Sequence, residues 1–346
     1  MFALLGAPVW AQDEPPAAPY PHEPVFHSYS NLIQIPVLVL DEHRQPLAAD
    51  TPLQFGVRID GGPEFTVKYD RLEGNDPIAL AILLDLSGSQ KPILPKVAEA
   101  IAGLPLKPQD RVSVYAVDCR LIRTYTNGLP NAEELKQAVN NTMQSTTVHG
   151  PGKTKASCGS SRAVRSSLMY MISQLEHEPG RRVILALTDG EEKYSSYTWK
   201  AVKEYADNSG VAIFGLAGLP YEASEAAMFQ TFYRGYEDEF KTLCELSGGI
   251  LRMTTPLTVP QSVKDFVALV RGRYIVEFPR SDNLTAGPHG FDVSVESSKE
   301  LYFIRPSGIS LPIADPEILA DPTTVPTDPT HAPVPGNRRI LTDTKH

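Results

Sequence analysis

Three stretches of this chain are apolar at almost every position: IALAILLD at 78–85, VILAL at 183–187 within RRVILALTDG, and VAIFGLAG at 211–218. A strand with no polar alternation is buried on both faces. This is the signature of a parallel sheet covered by helices, not of an antiparallel sheet with one wet face. The intervening segments fit. KPILPKVAEAIAGL, NAEELKQAVNNTM, RAVRSSLMYMISQLE, YTWKAVKEYADNSG and DEFKTLCELSGG carry apolar residues at helical spacing. Asn131 stands as an N-cap ahead of its helix, and Gly210 as the glycine that ends another. DRVSVYAVD is a further strand, CRLIRTYT a shorter edge strand and ILRMT the last of the set. Strand and helix in alternation from Pro77 to about Val270 predict a mostly parallel central sheet with helices on both faces.

The flanks have a different texture. LIQIPVLVLD, then LQFGVRIDGGPEFTVKYD with a hairpin signal at Asp60-Gly61-Gly62, precede the α/β segment. After the helix VPQSVKDFVALV come RYIVEFP, GFDVSVE and LYFIRP. Two or three isolated strands make a marginal sheet. Both flanks are therefore expected to build one small β domain, with the α/β segment inserted between them. The predicted division is 1–11 signal peptide, 12–30 linker, 31–72 first part of the β domain, 73–270 α/β insert, 271–308 second part of the β domain, and 309–346 a Pro-rich disordered tail.

A chain of 346 residues with a formal charge of −9 lacks the basic balance that nucleic acid requires as a main partner. No apolar run reaches the length of a transmembrane helix. MFALLGAPVWAQDEPP has a short apolar run and a small-residue cleavage site at Val9-Trp10-Ala11, so export to the periplasm or the medium is expected. Three cysteines exclude a disulfide scaffold. Cys119 follows a strand end and Cys158 lies in a loop expected on the same face, so these two are the disulfide candidates, whereas Cys244 reads as a packed helical residue.

The strand 78–85 ends in Asp85, and the next residues are Leu86, Ser87, Gly88 and Ser89. Asp189 ends the strand RRVILALT. In an open parallel sheet ligands bind beyond the carboxyl ends of the strands, so both carboxylates are expected to face one crevice. Two carboxylates with two hydroxyls form a hard oxygen set, which suits Mg²⁺ or Mn²⁺ and not zinc. Each residue alone has a plain structural role as a helix cap or first-turn residue. Together they point to metal.

DLSGS resembles the DxSxS signature of the von Willebrand factor type A domain, and TDG resembles that family's later aspartate motif. The flanks NLIQIPVLVLDEHRQPL, FGVRIDGG, DRVSVYAVD, PGRRVILALTDGEE, LSGGILRM and RYIVEFP fall in the order seen in exported bacterial (acidobacterial-type) proteins of the VWFA-related type, from about Leu32 to Arg305. The resemblance implies a Rossmann-like type A domain inserted in a small β domain formed by the flanking strands. It also implies a metal-ion-dependent adhesion site at Asp85, Ser87, Ser89 and Asp189. The family's third-loop Thr has no counterpart in register. Ser161 stands at the counted position, with Ser160 and Thr154 as alternatives. The implied function is protein binding, with a partner's Asp or Glu carboxylate completing the coordination of Mg²⁺ or Mn²⁺.

Other signals fail. GPGKT lacks the first glycine of a phosphate loop and follows no strand. There is no HExxH and no GxSxG. A phosphotransferase with Asp85 as nucleophile would want a carboxylic acid two residues later, where this chain has Ser87. A binding module, not an enzyme, is the expectation. A structural subunit of an envelope assembly with a vestigial metal site is the alternative.

Overall fold

The computed structural model describes residues 32–47, 51–86, 90–118, 121–145, 163–191, 195–219, 239–281, 284–296 and 301–311. Strands β5 (Ile78–Asp85), β6 (Arg111–Val117), β7 (Leu121–Gly128), β8 (Arg181–Leu187), β9 (Val211–Gly218) and β10 (Leu251–Thr254) form one six-stranded sheet in the order β10-β9-β8-β5-β6-β7. All neighbours are parallel except β7, which runs antiparallel to β6 at the edge. The two faces of β5 show why its sequence is apolar throughout. Leu80, Ile82 and Leu84 join a core with helices α1 (Leu94–Ala102), α2 (Ala132–Ser145) and a later helix, Val259–Arg271. Ala79, Ala81 and Leu83 face the opposite core under α3 (Val164–Leu175), α4 (Trp199–Ser209) and α5 (Glu239–Leu246). The helix 259–271 is α6. The helix ends obey local chemistry. Asn131 Oδ1 accepts from the backbone N–H groups of Glu133 and Glu134, and Gly210 closes α4 in the left-handed region at φ 60°.

The flanks form two four-stranded sheets. β1 (Leu32–Leu40), β4 (Tyr69–Leu72), β11 (Tyr274–Pro279) and β13 (Tyr302–Ile304) are ordered β13-β1-β11-β4. β2 (Gln54–Ile59), β3 (Phe65–Thr66), β12 (Gly287–Glu296) and β14 (Gly308–Leu311) are ordered β14-β12-β2-β3. The alternating burial of β2 and of the first part of β1 is the period-two pattern of strands with one buried face, whereas Leu38 and Leu40 at the end of β1 are buried in the core of the insert. Those faces meet in one core, with Phe55 on Tyr274 and Phe278 between Phe65 and Phe291. N-terminal β1 pairs with C-terminal β11, and β2 with β12, so one β domain is built from both ends of the chain. The stretch read as the second arm of the hairpin divides between sheets. Phe65 and Thr66 pair with β2, and Tyr69–Leu72 pairs with β11.

The chain crosses between domains twice, at residues 73–77 and 272–273. The two crossings are bound to each other. Glu73 N–H donates to Arg273 O at 2.8 Å, and Gly74 N–H to Arg271 O at 2.9 Å. The Arg273 guanidinium grips the Glu73 carboxylate with two bonds, Nε to Oε2 at 2.7 Å and Nη2 to Oε1 at 2.9 Å, and both side chains are buried. Around this pair Arg71 and Arg181 share Asp76, Arg71 reaches Glu277, and Arg271 holds Asp110. Asp110 also accepts from the backbone N–H of Ile78, the first residue of β5. The β domain is thereby fixed to the end of the sheet where β5 and β8 begin.

A second polar clamp lies within the β domain. His289 Nε2 faces the Thr285 carbonyl at 2.8 Å, and Nδ1 faces Asp60 Oδ2 at 2.7 Å. Both partners are acceptors, so only the imidazolium satisfies both contacts. The hydrogen bond to Asp60 raises the His289 pKa above its ordinary 6.5, against burial and the opposing charge of Arg280. The same bond lowers the Asp60 carboxyl below its ordinary 3.8. The histidine contribution is fully present below 6.5 and is lost as pH rises through the folded value. The aspartate contribution is present above 3.8 and is lost as pH falls through its lowered value. His289→Gln is therefore expected to lower stability more at about pH 5.5 than at about pH 8.5. Urea denaturation at the two pH values checks this, and an equal loss at both would contradict it.

Candidate metal centre

Asp85 ends β5, and Thr188 and Asp189 follow β8, the adjacent parallel strand. The register aligns Leu84 with Leu187, so the residues after both strands emerge side by side. Asp85 is completely buried. Its Oδ2 accepts a hydrogen bond from the Thr188 hydroxyl at 2.8 Å. Thr188, also buried, accepts in turn from Gly190 N–H at 3.1 Å. Asp189 is half-buried, and its Oδ1 accepts from Glu191 N–H at 3.1 Å. Gly190 has φ +76°, and a Cβ there would stand 2.4 Å from the Cβ of Phe240. The glycine of TDG is thus demanded by backbone conformation and by packing against α5.

Two further residues shape this edge. Gln90 is buried, and its Oε1 accepts from Gly218 N–H at 2.9 Å, which ties the segment after DLSGS to the end of β9. Ser195 Oγ accepts from Ser166 N–H at 3.0 Å, which joins the loop after β8 to the first turn of α3. Thr188 and Gln90 were not singled out in the sequence. Thr188 carries a signal, as the one polar residue on an otherwise apolar strand end. Gln90, beside Lys91 and Pro92, carries none.

The sequence places Ser87 and Ser89 at the start of the next helix, but α1 starts at Leu94, after a turn at 90–93. Ser87, Ser89, Ser161, the alternatives Ser160 and Thr154, and the disulfide candidates Cys119 and Cys158 lie outside the described residues. Cys244 is buried in the α5 core. Among the described residues no group of three or more His, Cys, Asp or Glu side chains converges as a metal-binding cluster. The described part fits a hard divalent cation in its chemistry. It offers oxygen donors only, with Asp85 held in one orientation by Thr188.

No protein-family model matches the chain, and no curated protein is similar to it. Solved structures do resemble it. A conserved hypothetical protein, BatB from Bacteroides thetaiotaomicron, is 15% identical with a TM-score of 0.38, over 56% of this chain and 98% of that one. A von Willebrand factor type A protein from Catenulispora acidiphila is 11% identical with a TM-score of 0.42, over 82% of this chain and 76% of that one. Proximal thread matrix protein 1 from the mussel byssus, solved with a zinc-occupied MIDAS motif, is 11% identical with a TM-score of 0.38, over 57% of this chain and 49% of that one. The fold is read from this chain itself: a mostly parallel six-stranded sheet with one antiparallel edge strand, covered by helices on both faces and set into a β domain made from its own flanks.

Proposed function

We propose that this chain is an exported protein-binding module whose partner is captured through a divalent cation at the carboxyl edge of the six-stranded sheet. The observation that carries this is the pairing of Asp85 and Asp189 at the ends of adjacent parallel strands, with Thr188 holding the Asp85 carboxylate. Asp85, Ser87, Ser89 and Asp189 would hold the ion, with Ser161 as the third-loop donor. Mg²⁺ or Mn²⁺ is the ion this oxygen set favours. A bound ion supplies a Lewis-acidic position open to an Asp or Glu carboxylate of the partner. The chain's own work is to orient Asp85 through Thr188 and to fix the rim through Gln90 and Ser195. No helix among the described residues is long and apolar enough to cross a membrane.

The test is capture of partners from envelope extract by the immobilised full chain, with Mg²⁺ or with EDTA. A partner retained with Mg²⁺ and released by EDTA supports metal-mediated recognition. A partner retained equally under both conditions contradicts it and favours the structural-subunit alternative.

A further inference from the structure

At the end of the sheet opposite Asp85, the β domain does not close fully against the insert. A cavity of about 300 Å³ remains between β1, the starts of β8 and β9, and β14. It lies where two separately packed cores meet, with Ile33, Ile35 and Phe291 from the sandwich core and Val211 from the sheet core in its wall. Open sheets bind ligands at their carboxyl ends. A cavity at the amino end exists here because a second domain is docked there.

The wall has one chemical asymmetry. Arg181, Arg182 and Arg273 line it, and no Asp or Glu does. Arg181 is neutralised by Asp76, and Arg273 by Glu73. Arg182 has no acidic partner among the described residues, and its guanidinium donates only to the backbone carbonyls of Glu178 and Ser209. Arg273 is buried, and its Nη1 has no hydrogen-bond partner among the described residues. A mostly apolar concavity with a few polar groups at one point has the character of a small-molecule site. Guanidinium groups match the planar, two-oxygen geometry of a carboxylate.

We propose that this cavity binds a small amphipathic carboxylate, with its anionic head at Arg182 and its hydrocarbon body against Ile33, Ile35 and Phe291. The site is independent of the metal centre, and its occupant bridges the two domains across their seam.

Titration of the full chain with octanoate, followed by calorimetry and by chemical shifts, tests this, with octanol and inorganic phosphate as controls. Octanoate should bind and shift the resonances of Ile33, Ile35 and Phe291. Octanol, which lacks the charge, and phosphate, which lacks the hydrocarbon, should each bind at least about tenfold more weakly. Arg182→Gln leaves the Glu73–Arg273 pair intact and should bring octanoate down to the level of octanol. Octanol binding as tightly as octanoate would overturn the proposal. So would absence of octanoate binding, shifts confined to another region, or an unchanged affinity in Arg182→Gln.

Discussion

Replacing Glu73 by alanine should destabilise the protein by about 3–5 kcal/mol, the cost of leaving a buried charge without its partner. Glu73 and Arg273 are both buried, and they join through two short hydrogen bonds across 200 residues of sequence. The variant would strand the Arg273 guanidinium, whose Nη1 already has no hydrogen-bond partner among the described residues. The pair lies where the chain enters and leaves the insert, so the loss should reach both domains. Replacing both members by apolar residues, Glu73→Leu with Arg273→Met, should cost much less than the single change, because no buried charge then remains. Urea denaturation of the three proteins decides the matter. A loss below about 1 kcal/mol in Glu73→Ala would show that the pair behaves like an exposed one and that the neck is not held as described.

The neck is also the part of the fold least visible in the sequence. The buried strands were legible because each declares itself within eight or so residues: β5, β8 and β9 are apolar at nearly every position since they lie between two layers of helices. Insertion of one domain in the other was legible because strand texture stops near Leu72 and returns near Arg273. No local pattern pairs Glu73 with Arg273 or Asp76 with Arg181, since each residue separately reads as an ordinary charge. Strand β14 escaped for a similar reason. Gly308–Leu311 is short and borders Pro-rich sequence, and it is a strand because β12 offers it an edge.

At the candidate site the legible part was the motif, and the illegible part was its support. Asp85 and Asp189 stand out as acidic residues closing apolar strands. Their adjacency depends on the sheet order, which puts β8 beside β5. Thr188 matters through a hydrogen bond between residues 103 apart. Gln90 matters because β9 ends beside it.

The central claim, a divalent cation at this edge, is tested most directly by calorimetric titration of Mg²⁺ into the wild-type chain and into Asp85→Asn. Asparagine keeps the size of the side chain and an oxygen to accept from the Thr188 hydroxyl, so the buried hydrogen bond survives and only the charge is removed. The wild-type chain should bind Mg²⁺. Asp85→Asn, with a denaturation midpoint close to wild type, should bind it more than about 100-fold more weakly. Equal Mg²⁺ affinity in the two proteins, or no Mg²⁺ or Mn²⁺ binding by the wild-type chain, would contradict the account.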